Sequence, residues 1–442
     1  MIKKLVLVFI AFSTFQSYAQ QRGTASPYSF YGIGSLKFKG TVENRSMGGL
    51  SIYIDSIHVN VRNPASNATD NLVNYNNESR PVKFSVGGSH SSIGLKSSSG
   101  SDNSSSTSFD YVALSLPLGK FGVGFGLLPY TSVGYRLESL NDNGDISNRF
   151  SGQGGLNKVY FGLGYLIKKG LSVGIDANYN FGSIQNSAIE FLYDDEEVPI
   201  LNQSKENNRS DLSGLNVNLG VSYKIMLNNK LQLVSGMTYT PKSNLTSSNE
   251  RSFSTITISS STGQEFENNT VDVDLDQMGL KETDLVLPSK FSFGLGIGEV
   301  RKWFIGIESE HQRTSDFSNE LYTNTNTSVK YENSTSISLG GFYIPDYNSY
   351  DNSISSSLKR LVYRGGLHYE TTGLNINSES INEFGISFGV GIPVGTMFSN
   401  ANLGFELGKR GTTKSNLIQE NFINFQISLS LNDRWFRKSK YK

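Results

Sequence analysis

The chain has 442 residues with 39 basic and 39 acidic side chains, so its formal charge is zero, and it has no cysteine. Zero charge excludes the basic footprint of a nucleic-acid binder, and the missing thiols exclude a disulfide framework, a thiolate zinc site and a lipid-anchored cysteine. Hydrophobic residues make up only 37% against 45 glycines and 12% aromatics, with no composition shift along the chain, which does not describe the two or three apolar-cored domains of a soluble protein this long.

The N-terminus reads as an export leader over residues 1–19. Lys3-Lys4 supply the positive charge, Leu5 to Phe15 the apolar run, and Ser17-Tyr18-Ala19 the small-x-small cleavage site. No other stretch approaches the length of a membrane helix. The chain is therefore secreted, periplasmic or a β-barrel.

Residues 20–80 are rich in Ser, Asn and Gly and show no periodicity. Within them, Arg45 to Ala68 holds two shape-fixing devices. Gly48-Gly49 accept positive φ and close backbone approach. In Asn63-Pro64-Ala65, Pro64 locks its own φ and pushes Asn63 out of the α region. A bent polar segment at the head of an all-β chain is expected to be a plug in the lumen.

After Pro81 the pattern becomes the two-residue alternation of strands. In Phe121 to Leu128, Phe121, Val123, Phe125 and Leu127 share one face and three glycines the other. Phe291 to Gly298, Phe384 to Ile392 and Ile423 to Leu431 repeat the scheme. The polar faces carry Gly, Ser, Asn and Gln with few charges, which suits a tight lumen better than open water. The apolar faces carry no charge, as lipid requires, since a mid-depth Arg or Lys costs about 2–4 kcal/mol. Connections alternate in length: Pro117–Lys120, Lys168–Gly170, Leu227–Lys230 and Gly298–Lys302 are tight, whereas Glu138–Gly155, Glu190–Asp211, Pro241–Leu285 and Arg313–Thr327 are long and hydrophilic. Short turns on one rim and long loops on the other is the outer-membrane barrel arrangement.

The reading is a transmembrane antiparallel β-barrel over residues 81–436. Fourteen strands lie near 82–95, 106–117, 120–137, 153–167, 170–188, 211–226, 229–245, 285–297, 302–314, 330–344, 359–371, 380–392, 396–408 and 418–431, with twelve or sixteen as alternatives. Ser252 to Asp276 offers an extra hairpin above the membrane, and Pro345 to Leu358 is long for the short-turn rim. A basic tail, 437–442, ends the chain on the periplasmic side. Trp303, Tyr111, Tyr130, Tyr165 and Trp435 fall near strand ends as an aromatic girdle, with Tyr130 also placed to line a ligand path.

Arg45-Ser-Met-Gly-Gly-Leu-Ser-Ile52 followed by Asn63-Pro-Ala-Ser-Asn-Ala68 resembles the hatch signature of the FadL family, outer-membrane transporters of long-chain fatty acids and other hydrophobic compounds. Met47, Gly48 and Gly49 match its small-residue turn, and Asn63, Pro64 and Ala65 its NPA motif; Tyr239 to Ser243 and Leu287 to Ile297 resemble later strand ends. The resemblance implies a fourteen-strand barrel in the cell outer membrane. It implies passive, energy-independent uptake of a fatty acid-like hydrophobic molecule through the lumen and a lateral opening, gated by those six residues. No carboxylate-binding Arg or Lys of the family is matched. The alternative is a FadL-like barrel that does not transport and serves as carrier or accessory subunit of an outer-membrane secretion or assembly complex. Partners are then outer-membrane lipid, lipopolysaccharide and other outer-membrane proteins, with no nucleic acid and no cofactor.

Other motifs carry less. Gly170-Leu-Ser172-Val-Gly174 has the nucleophile-elbow pattern but lies in an alternating strand, where the elbow cannot form; with no nucleophile–base pair, an enzyme is not expected. His58, His90, His311 and His368 have no metal-ligand spacing. Asp194-Asp195-Glu196-Glu197 is an acidic outer loop, with cation bridging to lipopolysaccharide as the functional alternative. Asp272, Asp274 and Asp276 imitate half a calcium loop, but Gln277 stands where Gly is required.

Overall fold

The computed structural model describes residues 24–37, 39–69, 81–259, 261–321, 328–349, 353–394 and 399–433. The export leader, Trp435 and the basic tail lie outside them. Alternation without interruption makes strands, and the described residues form a closed antiparallel barrel of fourteen staves. After a two-residue strand β1 (Ser35–Leu36), the wall begins with β2 (Val82–Lys96) and β3 (Ser101–Leu118). The third stave is broken into β4 (Phe121–Pro129) and β5 (Thr131–Leu140). Then come β6 (Ile146–Lys168), β7 (Leu171–Glu190), β8 (Asn202–Met226) and a stave formed by β9 (Leu231–Thr240) with β10 (Ser243–Ile258). After β11 (Glu265–Asp272), β12 (Glu282–Leu287) and β13 (Lys290–Glu299) make the eighth stave. β14 (Trp303–Gln312) with β15 (Ser318–Asn319), and β16 (Val329–Tyr331) with β17 (Ser334–Tyr343), make the next two. β18 (Val362–Ile376), β19 (Glu379–Pro393), β20 (Asn400–Arg410) and β21 (Gln419–Asp433) complete the wall. Closure is by β2 on β21, in register from Val82↔Asp433 to Lys96↔Gln419.

The apolar faces read from the sequence point outward. Phe121, Phe125, Phe291, Phe293, Phe384, Phe388, Ile423 and Ile427 are all exposed, a belt that only lipid would cover. Closing the sheet satisfies its backbone groups without water.

Two expectations about the connections need correction, and a third is met. The long hydrophilic stretches are largely strand: β5 and β6 leave only 141–145 between them, and β8 begins at Asn202. Antiparallel ladders continue above the belt because the backbone bonds do not depend on an apolar face. Ser252 to Asp276 does form a hairpin, with Ser252↔Asp272 at the base of the β10–β11 ladder. The alternation of loop lengths is not strict. Asn377-Ser378 turns β18 into β19 in two residues, both at positive φ (51° and 66°), the twist-matched hairpin turn. The opposite rim holds the long 344–361 connection with the short helix α2 (Ile354–Lys359), numbered after the single-turn helix α1 (Val42–Arg45) inside the barrel.

Candidate functional site in the lumen

Residues 24–37 and 39–69 lie against the inner wall, and the two motifs seat on opposite sides of it. In α1, Asn44 Oδ1 accepts from Thr41 N (3.3 Å) and Thr41 Oγ1 (2.8 Å), closing the first turn. Gly48 and Gly49 follow at φ 70° and 95°; their N–H groups donate back to Arg45 O (3.1 Å) and Asn44 O (2.8 Å), which only a left-handed backbone permits. Gly48 N also donates to Ser387 Oγ on β19 (2.9 Å). Met47 is buried among Leu50, Ile52, Val234, Phe304 and Phe342. The wall is glycine where this turn touches it: a Cβ on Gly340 or Gly366 would sit 2.2 Å from Met47 O or Gly48 N.

Asn63 is extended (φ −124°, ψ 109°), and Pro64–Ala68 forms a 3-10 turn capped by Asn63 Oδ1 accepting from Ala65 N at 3.0 Å. Asn63 Nδ2 donates to Val221 O on β8 (3.0 Å). Pro64 and Ala65 are buried against wall glycines. A Cβ on Gly122 would lie 1.8 Å from Asn67 O, on Gly174 2.4 Å from Pro64 C, and on Gly220 2.2 Å from Asn63 Oδ1. Asn60 ties the halves together, donating to Ser51 O (2.5 Å) and accepting from Asn63 N (3.3 Å). The alternating glycines of the strands are thus the complement of the plug backbone.

Charge fixes the plug as well. Arg45 donates to Glu406 (3.1 Å) and Asp110 (3.5 Å), Arg62 to Glu310 (2.8 Å) and lies 3.2 Å from Glu308, and Lys39 pairs with Glu383 and with Glu370 (3.5 Å). Burial opposes the charge on Arg45 and Arg62, but their carboxylate pairs outweigh it and hold both guanidinium pKa values above the usual one. Asp55 accepts from His58 N (2.7 Å) and lies 2.6 Å from His58 Nδ1. Burial pushes its carboxyl up; His58, its hydrogen bonds and Lys83 together hold it well below the usual range.

This network was invisible in sequence, because Arg45 and Glu406 are 361 residues apart. The one available signal was inward-parity carboxylates on strands otherwise poor in charge. The fold also brings His368 to two carboxylates: ligating atoms of His368, Glu383 and Glu406 lie within 4.8 Å of one another. Both carboxylates already hold plug or wall cations, Lys39 and Arg410 on Glu383 and Arg45 on Glu406, so charge there is balanced by guanidinium and ammonium groups.

The third stave is where the wall is incomplete. β4 pairs with β3 from Val112↔Leu127 to Leu118↔Phe121. Past Pro129 the chain turns inward, and β5 pairs on one side with β6 and on the other with the plug strand β1, through Ser35↔Ser132 and Leu36↔Thr131. Gly134 N donates to Ser29 Oγ (3.1 Å). Among the described residues, β3 from Ser101 to Asp110 has no strand on its second edge. A seam therefore opens between the upper halves of β3 and β5.

Beneath the seam lies a chamber of about 190 Å³ lined by Tyr31, Ile33, Leu36, Tyr130, Phe317 and Tyr331 on one side and by the paired charges Lys39, Glu370, Glu383 and Arg410 on another. A second of about 90 Å³ shares Leu36, Tyr130 and Leu287 with it and adds Lys158, Asp176 and Lys290. Lys158 Nζ stands 4.1 Å from the Tyr130 ring centroid, a cation–π contact, and has no carboxylate within ion-pair distance among the described residues. Two girdle assignments fail here. Tyr130 is a luminal residue, as its alternative role anticipated. Tyr111 is fully buried, because the β2–β3 register shifts between Gly87 and Gly88, leaving Asp110 as an extra residue and turning Tyr111 inward. Tyr165, exposed near a strand end, fits the girdle.

The remaining motifs are structural. Ser172 is the second residue of β7, in extended backbone with no elbow, and Gly174 of that motif is a seat for Pro64. Asp194 Oδ1 accepts from Glu196 N (3.0 Å) and Val198 N (2.8 Å), shaping its own loop. Asp272, Asp274 and Asp276 line an outer groove.

A plugged fourteen-strand barrel with an apolar outer belt is the architecture of outer-membrane barrels. The whole chain, residues 1–442, matches the family model BamG, and it belongs to that family. No curated protein matches it. Among solved structures it is similar to the Pseudomonas putida toluene transporter TodX (15% identity, 91% of this chain and 100% of that chain, TM-score 0.58). It is also similar to the Ralstonia pickettii toluene transporter TbuX (14%, 89% and 98%, 0.54) and a Pseudomonas aeruginosa FadL homologue (12%, 90% and 99%, 0.54). These likenesses are of fold. The FadL resemblance is thereby supported at the level of architecture, while the family itself bears another name.

Proposed function

We propose that the chain is an outer-membrane barrel that admits a small hydrophobic compound to the luminal chamber and releases it sideways, passively, through the seam between β3 and β5. On this reading residues 1–19 are removed on export, residues 20–80 are the plug of an 81–436 barrel, and Met47, Gly48, Gly49, Asn63, Pro64 and Ala65 anchor the hatch. The observation that carries it is the broken third stave, whose inner half is held by plug strand β1 instead of wall strand β3. The structural neighbours that are toluene transporters and a monoaromatic hydrocarbon channel support the substrate class. A chamber of about 190 Å³ suits a single aromatic ring, since an apolar cavity of about 150 Å³ accommodates benzene. It is small for an extended fatty acid. Lys158 beside it suits a ligand with an acidic group, whereas Lys290 is already paired with Glu310 (3.4 Å).

The test is a lock. Ser35 and Ser132 are cross-strand partners, so Ser35→Cys with Ser132→Cys ties β1 to β5. Uptake of labelled toluene by proteoliposomes is expected to fall when the pair is oxidised and to recover on reduction. Uptake unaffected by oxidation would overturn the seam as the route.

A second reading, an accessory or carrier subunit of an outer-membrane secretion or assembly complex, is favoured by three plug cations, Lys39, Arg45 and Arg62, each held by two wall carboxylates. Stoichiometric co-purification with another barrel, together with no uptake by the reduced protein, would favour it over transport.

A further inference from the structure

A groove of about 750 Å³ lies on the part of the wall that extends above the apolar belt, between β6, β7, β8, β10 and the segment following β11. Its floor is two rows of cross-strand partners. One is Gln153↔Gln185↔Arg209↔Glu250, the next Ser187↔Asn207↔Ser252. The ladders from β6 through β8 run without a register shift below Leu166, so side-chain parity is preserved. On β8 the row shares its face with Leu215, 68% exposed, and on β7 with Tyr179, 47% exposed. The groove thus faces outward, over the belt. Arg209 is six residues beyond Leu215, about 20 Å along the strand, or roughly 15 Å of height once tilt is allowed for.

The cations of the groove are each paired: Lys205 with Glu265 (2.9 Å), Arg209 with Asp211 (3.1 Å), Arg251 with Glu206 (3.3 Å) and Lys281 with Asp276 (2.7 Å). No excess positive charge remains for a phosphate. What is offered is amide, hydroxyl and carboxylate: Gln185, whose Oε1 accepts from Gln153 at 2.8 Å, with Asn207, Glu250 and serines. Such groups match vicinal hydroxyls. The geometry points to a saccharide site: the groove binds the sugars of an outer-leaflet glycolipid whose acyl chains lie on the belt beneath it. This inference is independent of the luminal chamber.

The test uses the full chain in nanodiscs with three probes: lipopolysaccharide bearing a complete core, lipid A alone, and core oligosaccharide freed of acyl chains. Core-bearing glycolipid is expected to bind at least about tenfold more tightly than either fragment, a difference of about 1.4 kcal/mol. Gln185→Ala with Glu250→Ala, and separately Ser187→Trp to fill the groove, are expected to remove that advantage while lipid A binding and barrel heat-stability stay unchanged. Equal binding of lipid A and core-bearing glycolipid overturns the proposal. So does free oligosaccharide binding as tightly as the glycolipid, which would make the ligand a soluble polysaccharide. Loss of a co-purifying protein from both variants, with glycolipid binding unmoved, overturns it in favour of a protein interface.

Discussion

Replacing Arg45 with Met removes one of the plug's anchors at nearly constant volume. The Arg45 side chain is 11% exposed, and its partners Glu406 and Asp110 are 6% and 5% exposed. At 3.1 and 3.5 Å and an effective dielectric of about 20, each attraction is about 5 kcal/mol gross. The net loss is smaller, because desolvation offsets much of it, and breaking a buried pair costs about 3–5 kcal/mol. The orphaned carboxylates keep neutral donors: Glu406 accepts from Gln426 and Asn424 (both 3.1 Å), and Asp110 from Ser89 (2.9 Å) and Ser108 (3.0 Å). The expected cost is therefore at the low end, about 3 kcal/mol. It falls on the plug, since the wall ladders are untouched. Hydrogen exchange of the amides of residues 42–50 should accelerate roughly a hundredfold, at about 1.4 kcal/mol per decade. Exchange in β19 to β21 should hold. Adding Glu406→Gln should recover part of the effect by removing a stranded charge. Barrel strands and plug losing protection together, or neither changing, would refute the assignment of these pairs to plug anchoring.

Further outcomes follow from the same geometry. Gly340→Val should detach the Met47–Gly49 turn at a cost of about 1–3 kcal/mol, whereas Gly365→Val, whose Cβ would meet nothing closer than 3.9 Å, should leave plug proteolysis unchanged. Asp55→Asn should loosen the His58 loop at neutral pH. Because the folded carboxyl pKa is depressed, its stabilisation is present above the unfolded value of about 3.9 and is lost as pH falls toward the lower folded value; the variant's penalty should persist at pH 5 and shrink in stronger acid, which limited proteolysis across pH will show. Lys158→Met should weaken binding of benzoate to the purified protein about tenfold while leaving toluene binding intact; equal loss of both would mean the lysine only shapes the chamber.

The lipid face was legible because the medium imposes it residue by residue: Phe121, Phe125 and Phe388 must be apolar whatever lies behind them. The glycines opposite them were visible but not their meaning, since a vacancy at Gly174 makes sense only when Pro64 fills it. Strand starts such as Asn202 escaped notice because above the belt both faces are wet and alternation lapses. Tyr111 was misplaced for the opposite reason, since a single extra residue, Asp110, reverses parity in a strand whose pattern otherwise looks regular. Ion pairs escaped altogether, their partners being brought together only by closure of the barrel.

The distribution of these contacts bears on which part of the plug moves. Withdrawing Arg45, Arg62 and Lys39 together would cost roughly 9–15 kcal/mol at about 3–5 each, as much as the whole stability of a typical domain. Strand β1 and its flanks are held to the third stave by two ladder positions, by Lys37 N on Tyr130 O (2.9 Å) and Gly134 N on Ser29 Oγ (3.1 Å) and by Phe30 edge-on to Tyr135, and each such hydrogen bond or ring contact contributes only about 0.5–1.5 kcal/mol net. On the proposed passive transport there is no energy source to eject the plug, but thermal fluctuation suffices to part β1 from β5. On the transport reading, the moving element is therefore Ser35-Leu36 and the inward limb of the third stave, while the Asn63-Pro64 corner stays seated. Cross-linking Asn63 to the wall through introduced cysteines should leave toluene uptake intact, and the Ser35–Ser132 link should abolish it. The reverse pattern would mean that the anchors release and that the cost assigned to them is too high.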